Sequence, residues 1–387
     1  MEGKENQNKA LEKMDQFATK HKLKWGEHKC NVMRTGKHQD KPQDWKIGDI
    51  TIKETAHYKY LGDIITNDGK ISKNIEARGI KLKATTISIN TIAASEILNR
   101  IETSVLLELH EKISIPGYLT NSETWILNKG DTKQLEKNEI QSLKNLFDLP
   151  LHTPNAAIIY TFGTLFTKLR IDKKQLIYLN RILNRESSNW TKKTLVILEG
   201  MNIGWYKNIQ NILTEYELPT DFTVVKNISH NDWKNKVQVA IEKKNKERLI
   251  EECHEMTNGI NKEKTKTASI IKLLTDTRFK REAQPEILKT SKHETKTIII
   301  SRYGMLQCGK NYKGTMTDKC DKCNCIDDEN HRLNYCIKWK DLNLYHETEK
   351  VDFNLVYSDK IEEIRHVIER VERIWNTRNS HGTMNHT

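Results

Sequence analysis

Glycine and proline are scarce in this chain, 17 and 6 among 387 residues, which excludes a collagen-like or linker-dominated protein. No window approaches 18 consecutive apolar residues, so a membrane span is not expected. The first thirty residues hold no apolar run of the kind a secretory leader needs, and the sequons at Asn189 and Asn227 then read as chance matches. Aliphatic and aromatic residues are on the lean side at 36%, still enough for real cores. What the chain has is charge. Lys plus Arg number 64 against 52 Asp plus Glu, a net +12, which suits a polyanionic partner. The length predicts two or three domains at roughly 100–200 residues each. Of seven cysteines, four crowd between 320 and 336, a pattern that in an intracellular chain points to metal rather than disulfides.

Periodicity divides the chain. Leu11, Met14, Phe17 and Leu23 in the lysine-rich start read as a short amphipathic helix. Ile47, Ile50 and Ile52, then Tyr58, Tyr60 and Ile64-Ile65 ahead of Asn67-Asp68-Gly69, read as short strands closed by a turn. From Ile71 to Ile115 apolar residues recur at threes and fours, and Pro116-Gly117 is expected to break that helical run. A second helical stretch covers about 131–147 and stops at Pro150, and two or three more helices fill 155–215. Residues 226–290 carry mixed-sign charge at helical spacing, which reads as a solvated helix face.

Cys320-x2-Cys323-x7-His331-x4-Cys336 is the sharpest local signal. Zinc prefers a tetrahedral set of thiolates and imidazole, and a Cys-x2-Cys turn aims two thiolates at one ion. The His-x4-Cys half is expected to span one helical turn and share its face. Cys325 is a spare that competes with Cys323 for the role of ligand. A polar unit this short has little core, so one structural Zn2+ would supply its folding free energy. Tyr335 and Trp339, interleaved with Lys319, Lys322, Arg332, Lys338 and Lys340, are what a knuckle needs to stack on bases and hold phosphates. The plainer reading is a structural staple, which needs no such basic ring.

The segment His57-Tyr58-Lys59-Tyr60-Leu61-Gly62-Asp63-Ile64-Ile65-Thr66-Asn67-Asp68-Gly69-Lys70 resembles the Tyr-Leu-Gly primer-grip region of non-LTR (LINE-type) retrotransposon reverse transcriptases. Lys29-Cys30-Asn31-Val32-Met33 resembles the Asn-x-x-Lys-Thr-x-Val-Met segment that precedes the grip, with Gly26 in place of the asparagine and Cys30 in place of the threonine. Glu123-Thr124-Trp125-Ile126-Leu127 resembles the Glu-Thr-Trp-x-Leu signature of that family's helical thumb, and the cysteine cluster resembles its terminal CCHC zinc knuckle. The four landmarks stand in the family's order over about 25–340. Polymerase chemistry needs paired carboxylates to hold two metal ions. In the family these precede the Lys29 segment, and the residues before Lys29 hold only Asp15 and no Ala-Asp-Asp. The single Asp-Asp, Asp327-Asp328, falls inside the knuckle. The chain as it stands is therefore expected not to polymerise.

These readings combine into a mainly α fold with a small β element. The expected segments are a residual palm with the grip hairpin (1–70), a helical thumb-like domain (71–190), a charged helical linker (191–300), and a zinc knuckle with a terminal helix (301–387). What the resemblance implies is a catalytically incomplete reverse-transcriptase portion that binds RNA and DNA, works in the nucleus, and touches nucleic acid through Lys29, Tyr58, Tyr60, Leu61, Gly62, Arg332, Tyr335, Lys338 and Trp339. The rival reading is a host protein that has retained such a remnant as a nucleic-acid-binding or scaffold module.

Overall fold

The computed structural model of the chain describes residues 2–26, 29–35, 45–93, 101–257, 284–306, 308, 319–338 and 350–381. It is mainly helical with two small antiparallel hairpins. Two compact units divide it: Met1–Ile80 with Trp125–Gln134, and Lys81–Thr124 with Leu135–Thr387.

In the smaller unit, helix α1 (Glu2–Lys20) lies on the hairpin of β1 (Trp45–Ile47) and β2 (Ile50–Ile52). Trp45, Ile47 and Ile52 are buried, with Leu11, Trp25, Cys30 and Val32 packed against them. The expected amphipathic helix is present, but its buried side is Ala18 with half-buried Leu11, while Met14 and Phe17 stay exposed. Asp15 shares the inner side: it accepts the Trp25 indole N–H at 3.2 Å. It also abuts Gly48, whose φ is +53°, and a Cβ there would meet the carboxylate at 2.7 Å. Glycine suits that turn without strain.

The second hairpin pairs β3 (His57–Tyr60) with β4 (Asp63–Thr66). Its turn is Leu61-Gly62, both at positive φ (48° and 91°), the geometry that matches the twist of a two-residue hairpin. The turn expected at Asn67-Asp68-Gly69 is also present, the Gly69 N–H donating to the Thr66 carbonyl at 3.1 Å, and it leads out of β4 toward helix α2 (Ser72–Ala93). The register pairs Tyr58 with Ile65 and Tyr60 with Asp63, so Ile64 shares the other face with Lys59 rather than joining the tyrosines. Asp63 ties the hairpin to α2, accepting from Arg78 at 2.7 Å and Asn74 at 2.9 Å.

The larger unit is helical. Helix α3 (Thr103–Leu109) passes through a π turn (His110–Ser114) into α4 (Ile115–Tyr118). The helix therefore runs through Pro116-Gly117 instead of breaking there. A widened turn does not need the amide proton that proline lacks. Then come α5 (Lys129–Leu146), α6 (Asn155–Phe162), α7 (Thr167–Leu183), α8 (Trp190–Met201), α9 (Gly204–Glu215), α10 (Phe222–Asn227) and α11 (His230–Thr257). Residues 155–215 thus hold four helices, one more than expected. Ala156, Ala157, Ile158 and Ile159 of α6 are all buried, as a helix apolar all round must be.

Helix α11 corrects the linker reading of 191–300. Its charges leave one narrow stripe free, and there Trp233, Val237, Ile241, Leu249 and Cys253 are buried in the same core as α6 and α7. The Trp233 indole N–H donates to the Leu176 carbonyl at 2.8 Å. Where it is described, this stretch is core. Helices α12 (Pro285–Leu288) and α13 (Lys292–Arg302) follow, the second opened by a reciprocal Ser291–Glu294 capping box. The short α14 (Glu329–Asn334) and the long α15 (Ile361–His381) complete the chain.

Candidate metal centre

Two local structures bring the cluster together. The first is a tight loop: the Cys320 N–H donates to the Cys325 carbonyl at 2.8 Å and the Asn324 N–H to the Cys320 carbonyl at 2.9 Å. Asn324 reverses the chain at φ +52°, a region asparagine tolerates better than most residues. The second is α14, whose N-cap Asp328 accepts the His331 N–H at 2.8 Å. The signal for this cap was legible as an aspartate three residues before the histidine, and the sequence reading passed over it.

His331 and Cys336 are five residues apart, more than one helical turn. The expected shared helical face is not how they meet. Helix α14 ends at Asn334, and the Cys336 N–H reaches back to the His331 carbonyl at 2.8 Å. That bond turns the thiol inward.

The ligand atoms of Cys320, Cys323, His331 and Cys336 lie within 4.8 Å of one another, close enough to hold one metal ion. The Cys320 and Cys336 sulfurs are 3.7 Å apart and those of Cys323 and Cys336 4.0 Å. The Ile337 N–H points at the Cys323 sulfur from 3.4 Å. Burial and the Cys320 thiol beside it push the Cys336 thiol up to about 12, and burial lowers the His331 imidazole below its ordinary value. A cation must therefore displace the Cys336 proton, while protons compete less for the His331 imidazole. Exposed Cys325 sits 3.1 Å from His331 Nδ1 but outside the group of four.

The cluster has an apolar seat. Cys320, Leu333 and Cys336 pack with Leu306, Val351, Val356, Val367, Val371 and Ile374. Asp327 and Arg332 close it with a buried ion pair, Nε to Oδ1 at 2.6 Å, and the guanidinium lies over the Trp375 ring at 5.7 Å. Arg332, expected from sequence to touch nucleic acid, is instead turned inward here onto Asp327. The Asp-Asp pair is structural too, one carboxylate holding Arg332 and the other capping α14.

Tyr335, 53% exposed, and Lys338 stand outward beside the ligands. Lys350 Nζ lies 5.0 Å from the Tyr335 ring centre. Trp339 lies outside the described residues. In the smaller unit, the Tyr58 hydroxyl donates to the Lys29 carbonyl at 2.9 Å, so those two predicted residues do meet. Tyr60 is 57% and Leu61 80% exposed at the hairpin tip. No protein-family model, curated protein or solved structure matches this chain. Among the described residues no helix is long and apolar enough to cross a membrane.

Proposed function

We propose that this chain is a carboxy-terminal portion of a non-LTR reverse transcriptase, catalytically incomplete in its own residues, that holds RNA or DNA through a zinc knuckle and a thumb-like helical body. The observation that carries this reading is the convergence of three thiols and one imidazole directly beneath an exposed Tyr335 and Lys338. The metal is zinc. Thiolate bonds of about 2.3 Å in a tetrahedron set sulfurs roughly 3.8 Å apart, and the two separations here, 3.7 and 4.0 Å, bracket that value. Zinc would cross-link the Cys320–Cys325 loop to the end of α14. The exposed ring and lysines beside it would then meet bases and phosphates. The hairpin tip supports the same reading from the other unit. Leu61 is 80% exposed at that tip, open to a strand laid along the hairpin. A nuclear site of action belongs to the same proposal.

Binding of the purified chain to single-stranded RNA and DNA, measured across salt concentrations, tests it. Affinity should be roughly micromolar or tighter at low salt, show little sequence preference, and weaken steeply as counterions are released. Tyr335→Ala and Trp339→Ala, with zinc retained, should each cost about 1–3 kcal/mol if the rings stack on bases. Lys338→Ala should instead lower the salt slope by about one. Zinc-loaded aromatic variants that bind like the parent would reduce the knuckle to a staple. Salt-independent binding would end the nucleic-acid reading.

A further inference from the structure

The larger unit carries an open cavity of about 770 Å³ away from the metal centre, a size that suits a small organic ligand. It lies between the bend from α3 into α4 and one stripe of α7, with Lys234 of α11 on its wall. Positions 170, 173, 174, 177, 178 and 181 recur at threes and fours, so one face of α7 meets it. Five cations line the cavity: Arg170, Lys173, Lys174, Arg181 and Lys234. The carboxylates are two, Glu111 and Glu123.

These cations differ in what they already hold. Arg170 is half-buried and locked, with Nη1 2.8 Å from Glu111 and Nε 3.0 Å from Glu139, which makes that end of the site rigid. Lys173 donates to Gln238, and Lys174 donates to the Leu119 carbonyl and stands 3.6 Å from Glu123. Arg181 and Lys234 are exposed and join no ion pair among the described residues. The inner wall is apolar: Ile115, Leu119 and Leu165 are buried, and Ile177 and Tyr178 half-buried. The Tyr178 ring is held edge-on to Trp205 at 6.0 Å, and Trp205 is itself fixed by donating to the Glu123 carbonyl at 2.9 Å.

Uncommitted cations on the exposed wall and a fixed aromatic ring on an apolar one recognise an anion joined to a flat ring. We infer that this cavity binds a nucleotide, its phosphates on Arg181 and Lys234 and its base against Tyr178 and Ile177. The shared chemistry is a nucleoside phosphate, free or at the end of a strand. The inference rests on the cavity alone and not on the knuckle.

The full chain is titrated with two fluorescent probes, an N-methylanthraniloyl ATP and a labelled 5′-phosphorylated dinucleotide, with inorganic triphosphate as competitor. Saturable binding is expected with at least one probe, and preference for one or the other identifies the source while supporting the site. Arg181→Glu with Lys234→Glu should weaken binding at least about tenfold. Both side chains are exposed, so circular dichroism and the thermal midpoint should match the parent. Tyr178→Ala should weaken the probe about fivefold yet leave competition by inorganic triphosphate unchanged. Cys320→Ser, which abolishes the knuckle, should bind the probes as the parent does, so the two proposals fail separately. No saturable binding with either probe, or binding indifferent to the double reversal, overturns the site.

Discussion

His331 and Cys336 owe their meeting to backbone bonds that no ligand-spacing rule contains: an aspartate cap at one end of α14 and a five-residue return bond at the other. At this scale the metal assignment is exposed to a direct count. Metal analysis of the purified chain should find about one zinc per chain, lost in Cys320→Ser and in His331→Ala. Cys325→Ser should keep it, because the converged group takes Cys323. Loss of zinc from the Cys325 variant would reassign the ligand. A second residue-scale prediction concerns His110, buried at the π turn with neither ring nitrogen hydrogen-bonded. Burial pushes its imidazole from the ordinary 6.5 down to about 4. Above pH 6.5 it is neutral whether the chain is folded or not, and its titration adds nothing to the pH dependence. Below that, the unfolded chain takes a proton that the folded chain refuses until about pH 4. Stability should therefore fall as pH drops through this window, by up to about 3 kcal/mol from this group. Urea unfolding at pH 7 and 4.5 should show that fall, and His110→Leu should remove this part of it. Identical pH slopes in parent and variant would refute the assignment.

Elements were legible where local chemistry set them and misread where packing did. The hairpin of β3 and β4 could be read from its residues, but its register could not. The added turn at Leu61-Gly62 puts Ile64 on the face opposite Tyr58 and Tyr60, because side chains alternate with period two. Helix α11 looks solvated from composition, since charge fills most of its circumference. The residues that decide its place, Trp233, Val237 and Ile241, form a narrow stripe that a charge count hides. Trp233→Ala should cost about 3–5 kcal/mol in chemical denaturation, as large-to-small core changes do. Lys243→Ala, which breaks only an exposed pair with Glu217, should leave the midpoint where it is. Equal effects from both would return α11 to the surface.

For the molecule as a whole, the metal centre is seated on a small core of its own, with Leu333, Val356, Val367 and Val371 buried beneath it. The expectation that metal alone folds this segment is therefore too strong. A chelator should loosen residues 319–338, seen as faster amide exchange there, while the main helical core melts as before. Global unfolding on chelation would mean that the two cores are one cooperative unit.

Composition, spacing and periodicity by themselves determined that this is a basic, mainly helical protein with a small β element. They also picked out the four residues that converge on one metal position. Such features depend on a few neighbouring residues, whose preferences survive in any surroundings. Only the tertiary structure decided that Arg332 turns inward to Asp327, that α11 is core, and that four cations on one face of α7 line a cavity with Lys234. Each of these depends on which distant side chain arrives opposite. That is set by burying apolar area across the whole chain, and no local window of sequence carries it.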